Sequence, residues 1–264
     1  MPSVLTDIRN DLLYVTLNRP EQKNAFNISM IRESEDVFRT IPVNVRAVVI
    51  AGAGTSFCAG ADLEWMQSQV RNSYEQNLAE TRHLQNMLTS VFNCRQPVIA
   101  QMHGHVMGGG VGLACTCDIL VSSDDTKFCL SEVKLGLVPA VISPYVINKL
   151  GLNKATSLGI SARPFTATQA LNWNMIDAVT PLAHLATAVQ QWTEDLLQCA
   201  PLAQRATKRL FRELPHWAPE TVLQNTAELI SRRRISAEGQ RGLKGFLQKN
   251  PVRWQSETVT DESD

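Results

Sequence analysis

The chain has 264 residues, 44% of them hydrophobic, and its 25 Lys and Arg balance 25 Asp and Glu. That length supports one large packed unit or a unit with an appendage, and a formal charge of zero offers no basic face for nucleic acid. No run approaches the roughly 18 consecutive apolar residues of a membrane span. The opening "MPSVLTDIRNDLLYV" lacks the basic and apolar regions of a signal peptide, so a soluble, cytoplasmic protein is expected. The six cysteines, Cys58, Cys94, Cys115, Cys117, Cys129 and Cys199, form no C-x-x-C pair, and no histidine stands at zinc spacing beside them. Reduced, packed thiols are expected, and no metal site.

In chain order, "DLLYVTLNRP" reads as a strand, entered by a hairpin turn at Arg9–Asn10–Asp11. A helical pattern covers about Ser29 to Arg39. "VRAVVIAGAG" is a short apolar run closed by glycines, the mark of a buried strand. After a segment of helix potential, "LEWMQSQV", a long helix is predicted from Tyr74 to Phe92. "QPVIAQMHGHV", "CDILVSSDD" and "TKFCLSEV" read as three more strands. From about Thr166 the pattern turns helical. "TATQALNWNMIDAV" starts as a capped helix, and helices follow over about Leu182 to Cys199, Leu202 to Glu213, Pro219 to Ile230 and Ser236 to Leu247. The polar, acidic tail "SETVTDESD" is expected to be mobile. Strands alternating with helices predict an α/β architecture.

Three stretches carry chemistry. "GAGTSFCAGADL", Gly52 to Leu63, follows a buried strand; its small residues admit a ligand close to the backbone, and the turn into a helix aims free N–H groups outward. "GHVMGGGVGLACTCD", Gly104 to Asp118, is also glycine-rich. It is not a dinucleotide loop, because counting from Gly108 the third glycine of G-x-G-x-x-G falls on Leu113. It is not a Walker loop, because no G-K-[ST] follows. It reads instead as a helix start bare of side chains, able to place N–H donors on a developing negative charge, or else as close helix–strand packing. In "FCLSEVKLGLVPAVISPYV", Glu132 lies between Leu130 and Val133. Such an apolar setting raises a carboxyl pKa and suits a general acid or base, while a surface strand-end glutamate is the plainer alternative.

Together these segments resemble the crotonase, or enoyl-CoA hydratase/isomerase, superfamily. The resemblance runs from "LNRPEQKNAFN" through "FCAGADL", "MGGGVGLACTCDI" and "LSEVKLGLVP" to "ARPFTATQALNWNMIDAV" and "EGQRGLKGFLQKN". It implies a spiral of ββα units forming two sheets over residues 1–195, a helical trimerisation region over 196–254 before the tail at 255–264, and trimers that often pair into hexamers. It implies an acyl-coenzyme A thioester as substrate, with no separate cofactor. By the family pattern the N–H groups of Ala61 and Gly109 form an oxyanion hole and Glu132 is catalytic. Lys23, Ala25, Ala59, Ala61, Asp62 and Leu63 match positions that contact CoA. Phe246 and Lys249 match positions that reach CoA from a neighbouring subunit. No catalytic role falls to Cys58.

The sequence departs from the pattern at two places. Typical hydratases carry a second glutamate, in the form G-G-G-x-E, where this chain has Gly112. Asn174 stands where relatives usually have glycine, which left-handed backbone tolerates. Within the family, "GGGVGL" with "LSEVKLGLVPAVISPYV" resembles a bacterial methylglutaconyl-CoA hydratase branch of leucine breakdown. The expected activity is therefore hydration of an α,β-unsaturated acyl-CoA. A double-bond isomerase working with one glutamate, an acyl-CoA decarboxylase relying on the oxyanion hole, and a non-catalytic CoA- or RNA-binding relative are the alternatives.

Overall fold

A computed structural model of the chain describes residues 1–254. β1 (Val4–Arg9) and β2 (Leu12–Leu17) pair as an antiparallel hairpin. Its two turn residues, Asn10 and Asp11, have φ of 52° and 62°. Asn and Asp accept this left-handed backbone, and the resulting turn follows the twist of the paired strands.

From β2 onward the chain repeats one plan: a strand in a large sheet, a short extended piece in a second layer, then a helix. The first pass is β2, Phe26 and α1 (Ile28–Arg39). The second is β3 (Ala47–Gly52), the segment around Cys58 and Ala61, then α2 (Leu63–Gln69) and α3 (Tyr74–Phe92). The third is β4 (Val98–Met102), β5 (His105–Met107) and α4 (Gly109–Thr116). The fourth is β6 (Ile119–Ser123), β7 (Lys127–Cys129), a 3-10 turn over Glu132–Leu135 and α5 (Ser143–Ser161). Within each layer neighbouring passes pair in parallel: β2 with β3, β3 with β4 and β4 with β6 in one, Phe26 with Ala61, Cys58 with Val106 and β5 with β7 in the other. β8 (Phe165–Thr166), α6 (Ala167–Asn172) and β9 (Ala178–Thr180) complete the spiral. The large sheet then runs β1-β2-β3-β4-β6-β9 and the small one β5-β7-β8.

The inner strands β3, β4 and β6 of the large sheet are buried on both faces, which explains their continuous apolar runs. Side chains alternate along a strand. Val48, Ile50, Val98, Ala100 and Leu120 enter the main core with Met30, Ile31, Met87, Leu88 and Phe128. The intervening Val49, Ile99 and Val121 meet Leu185 and Val189 of α7 (Leu185–Leu197) on the other side. α7 runs across residue 195, where the sequence placed the edge of the spiral.

α8 (Pro201–Glu213), α9 (Pro219–Ile235) and α10 (Ala237–Leu247) follow. α8 is fastened to the spiral by Asp118, whose carboxylate accepts from Lys208 and Arg212, each at 2.6 Å. Arg46 donates to the carbonyls of Cys199 and Trp254, both at 2.6 Å. The expected acidic tail, 255–264, lies outside the described residues. No described helix is long and apolar enough to cross a membrane.

Four expectations are corrected. "QPVIAQMHGHV" is two strands in different sheets, because Gly104, with φ of 60°, breaks it. "TKFCLSEV" leaves the strand at Cys129, so Glu132 starts a 3-10 turn. α5 was not read from the sequence: Pro144 fits its first turn, but Gly151 interrupts it at φ 71°, ψ 158° and disrupts its periodicity. β9 was read as part of a helical stretch and is an edge strand paired with β6. α9 also extends five residues past Ile230, to Ile235. Elsewhere α3 spans the predicted residues, Thr166 and Gln169 form the capping box of α6, and Asn174 takes φ of 57° just beyond that helix.

Candidate active site

Because the passes stack in parallel, the residues that follow each inner strand come to lie side by side. Those residues are Ala61 in the second pass, Gly108 and Gly109 in the third, and Ser131 and Glu132 in the fourth. They are separated by tens of positions in the chain and meet at one end of the small sheet.

Ala61 is held by two hydrogen bonds that bracket it. The Phe26 N–H donates to Gly60 O at 2.6 Å, and the Asp62 N–H donates to Phe26 O at 2.9 Å. In a parallel bridge this leaves the N–H of Ala61 pointing away from Phe26, and it donates no hydrogen bond among the described residues. Gly60 reaches this position with φ of 95°, and a β-carbon on it would lie 3.0 Å from Met107 O. The second and third passes therefore touch backbone to backbone.

Behind Ala61 sits a buried ion pair. Arg19 Nη2 lies 2.8 Å from Asp62 Oδ2, with side-chain exposures of only 16% and 7%. Asp62 also caps α2, its Oδ1 accepting from the N–H groups of Glu64 at 2.8 Å and Trp65 at 3.2 Å. Burial alone would raise the Asp62 carboxyl; the hydrogen bond and charge of Arg19 with these two N–H groups outweigh it and hold the pKa below its ordinary value. Arg19 Nη1 donates to Ala25 O at 2.6 Å, and Asn24 Nδ2 donates to Ala53 O and Ser56 O, both at 2.8 Å. The loops on either side of Ala61 are thus tied to one framework.

The glycines after β5 each face a different neighbour. Gly108 has φ of 47° and ψ of −117°, backbone that residues with a side chain avoid. A β-carbon on Gly109 would meet the Phe26 ring at 3.1 Å, and one on Gly110 would strike Cys58 O at 2.5 Å. One on Gly112 would overlap Ile142, 2.1 Å from its Cγ2 and 2.6 Å from its Cβ. Gly109 is the first residue of α4, where an N–H has no partner within the helix, and it donates no hydrogen bond among the described residues. The helix dipole adds partial positive charge there.

Glu132 approaches the same point from the fourth pass. Its Oε1 is 3.1 Å from where a β-carbon on Gly108 would stand, and Ser131 Oγ is 3.8 Å from that position. Glu132 Oε2 is buried without a hydrogen-bond partner among the described residues. Burial raises the Glu132 pKa, its own backbone N–H pulling weakly the other way. A carboxyl with a raised pKa is suited to exchanging a proton, and N–H groups without partners are suited to receiving negative charge.

The other sequence-read positions sort by location. Lys23 is exposed at φ of 49°, and its carbonyl accepts from the Ala59 N–H at 2.9 Å. Ala25 is buried and Ala59 half-buried, Ala61 is exposed, and Leu63 is 76% exposed at the start of α2. The Asp62 side chain turns inward to Arg19, so only its backbone faces the loop. Phe246 lies on α10 and Lys249 just after it. α10 packs on α8 and α9, and Phe246 is 83% exposed there. Cys58 is fully buried and its thiol is pushed up to about 12 by burial, which removes it as a nucleophile at neutral pH. Sequence reasoning did not single out Phe26, Arg19, Gly108 or Ile142. Arg19 and Phe26 stood inside "LNRPEQKNAFN", but their partners lie 43 and 35 positions away, and no local pattern announces them.

Comparison with known proteins shows the family to which the chain belongs. The family model for enoyl-CoA hydratase/isomerase matches residues 7–257. The solved structure of an enoyl-CoA hydratase from Shewanella pealeana superposes with a TM-score of 0.91 at 33% identity, covering 96% of each chain. The 2,3-dehydroadipyl-CoA hydratase of Escherichia coli is 27% identical over 94% of this chain and 97% of its own length. The mitochondrial Delta(3,5)-Delta(2,4)-dienoyl-CoA isomerase of Pongo abelii is 33% identical over 77% of this chain and 66% of its own. With the family model matching nearly the whole chain and the fold shared with a solved relative, this chain is a member of the enoyl-CoA hydratase/isomerase family.

Proposed function

We propose that the protein hydrates an α,β-unsaturated acyl-CoA. The observation that carries this reading is the placement of Glu132, its Oε2 buried and unpartnered, beside the glycines that open α4. The thioester oxygen docks on the N–H groups of Ala61 and Gly109. Glu132, as carboxylate, takes a proton from water while the water oxygen bonds to Cβ. The π electrons move through Cα to the thioester oxygen, giving an enolate held by the two amides. Glu132, now a carboxylic acid, returns its proton to Cα and the carbonyl reforms. One water is added, both its parts from the same face. Each amide contributes roughly 3 kcal/mol to the transition state, because the charge it meets is larger there than in the substrate.

The CoA moiety lies along Lys23, Ala25, Ala59, Asp62 and Leu63, and a neighbouring subunit adds Phe246 and Lys249. The exposed apolar residues Leu223, Ile235, Phe246 and Leu247 on α9 and α10 support a trimer or hexamer. The six free thiols support a cytoplasmic setting. For the acyl group the reading is 3-methylglutaconyl-CoA, resting on the resemblance of "GGGVGL" and "LSEVKLGLVPAVISPYV" to that branch. The dehydroadipyl-CoA hydratase relative also acts, by its name, on an acyl group with a distal carboxylate. One observation favours a second reading: Gly112 supplies no second carboxylate, and a single Glu132 suffices to move one proton between carbons, as an isomerase does.

The deciding experiment follows the conjugated enoyl absorbance of crotonyl-CoA and 3-methylglutaconyl-CoA with purified protein. Loss of absorbance with one water gained in the product mass supports hydration. Double-bond migration without a mass change replaces it with isomerisation.

A further inference from the structure

The four glycines of α4 and its cap do not face equivalent neighbours. Gly108 and Gly112 are one turn apart on the same helix face. Gly108 looks onto Glu132 Oε1, and Gly112 looks onto Ile142. Ile142 is 2% exposed and belongs to the main core. The atoms it presents to Gly112 are Cβ and Cγ2. These sit next to the backbone on a β-branched side chain with little rotamer freedom, so the contact cannot be relieved by swinging a flexible end aside.

We propose that Ile142 fills the space that any side chain at position 112 would need, and so holds the site to one carboxylate. The glycine at 112 is then one half of a matched pair. Restoring a glutamate there is not enough to give the chain two acid–base groups. The inference rests on the hydratase reading only for its catalytic half; the steric half stands on its own.

Two measurements test it separately. Thermal unfolding is compared for Gly112→Ala, Ile142→Gly and the double variant, since Ile142→Ala would keep the Cβ that stands 2.6 Å from the new β-carbon. Gly112→Ala in the otherwise native chain lowers Tm by roughly 5 °C or more, as overpacking of a rigid core does. In the Ile142→Gly background the same change costs much less. Equal losses in the two backgrounds overturn the steric pairing. For the catalytic half, Gly112→Glu combined with Ile142→Gly is compared with Ile142→Gly alone on crotonyl-CoA. The expected result is at least a tenfold gain in kcat/KM, with a second titrating group in the pH profile, in line with the low end of acid–base catalysis. A folded double variant with unchanged rate and profile overturns the claim that Ile142 is what excludes the second carboxylate. A native protein that hydrates no enoyl-CoA sinks the hydratase reading instead, and the unfolding comparison still decides the pairing.

Discussion

Glu132 and Gly108 share one space: Oε1 of Glu132 lies 3.1 Å from the point a β-carbon on Gly108 would occupy. The absence of that carbon lets the carboxyl reach the start of α4. The same residue holds φ of 47°, where a side chain is strained. Gly108→Ala therefore displaces Glu132 and tilts the first N–H groups of the helix. The expected result is a fall in kcat of at least about tenfold, with the far-ultraviolet circular dichroism retained. An unchanged kcat in a folded variant would separate Glu132 from this contact.

The raised pKa of Glu132 sets two pH dependences. In the proposed role of base it must be ionised, so kcat/KM should climb with pH through a range above that of an ordinary glutamate, about 4.3. Glu132→Gln removes that limb and lowers kcat by at least about 10²-fold, with thioester binding largely kept. For stability the sign is the reverse. A carboxyl whose pKa is higher folded than unfolded favours the fold while protonated and weakens it as pH rises through the folded value. Glu132→Gln should thus melt above the native protein at pH 8, and the gap should close as pH falls towards 4. A variant that melts lower at pH 8 would mean that an unseen partner stabilises the carboxylate.

Asp62 behaves oppositely, because its folded pKa lies below its unfolded value of about 3.9. Its contribution is present above that value and is lost as pH falls through the folded one. Asp62→Ala leaves Arg19 buried and uncompensated and uncaps α2, at a cost of about 3–5 kcal/mol for the broken pair and about 1 kcal/mol for the cap. Since Asp62 adjoins Ala61, kcat should fall as well. Chemical denaturation at pH 7 and pH 3 checks this: the gap between native and variant should be large at the first and smaller at the second.

The proposed assembly rests on α10. Phe246, exposed at 83%, and Leu247, at 77%, present an apolar face that one chain leaves uncovered. Phe246→Asp should shift the sedimentation profile of the native protein from trimer or hexamer towards monomer at micromolar concentration, and raise KM for the acyl-CoA more than it lowers kcat. A native protein that sediments as a monomer would remove Phe246 and Lys249 from the CoA site.

Local physics made much of this protein legible in its sequence. The apolar runs of β3, β4 and β6 reveal strands buried on both faces, the Thr166–Gln169 box starts α6, and α3 stands out by its length. The glycine triplet declares a helix start without side chains, and the ordered motifs identify the family. Each of these signals spans few residues, or repeats along one element. What only the tertiary structure decided are relationships between passes of the spiral. Parallel stacking sets Ala61, Gly108 and Glu132 together, pairs Arg19 with Asp62, and breaks "QPVIAQMHGHV" between two sheets. Gly112 faces Ile142, thirty positions on, at the N-cap of a helix whose own proline and glycines conceal it. A contact of that kind is a matter of which surfaces the fold presses together, and no periodicity within either segment encodes it.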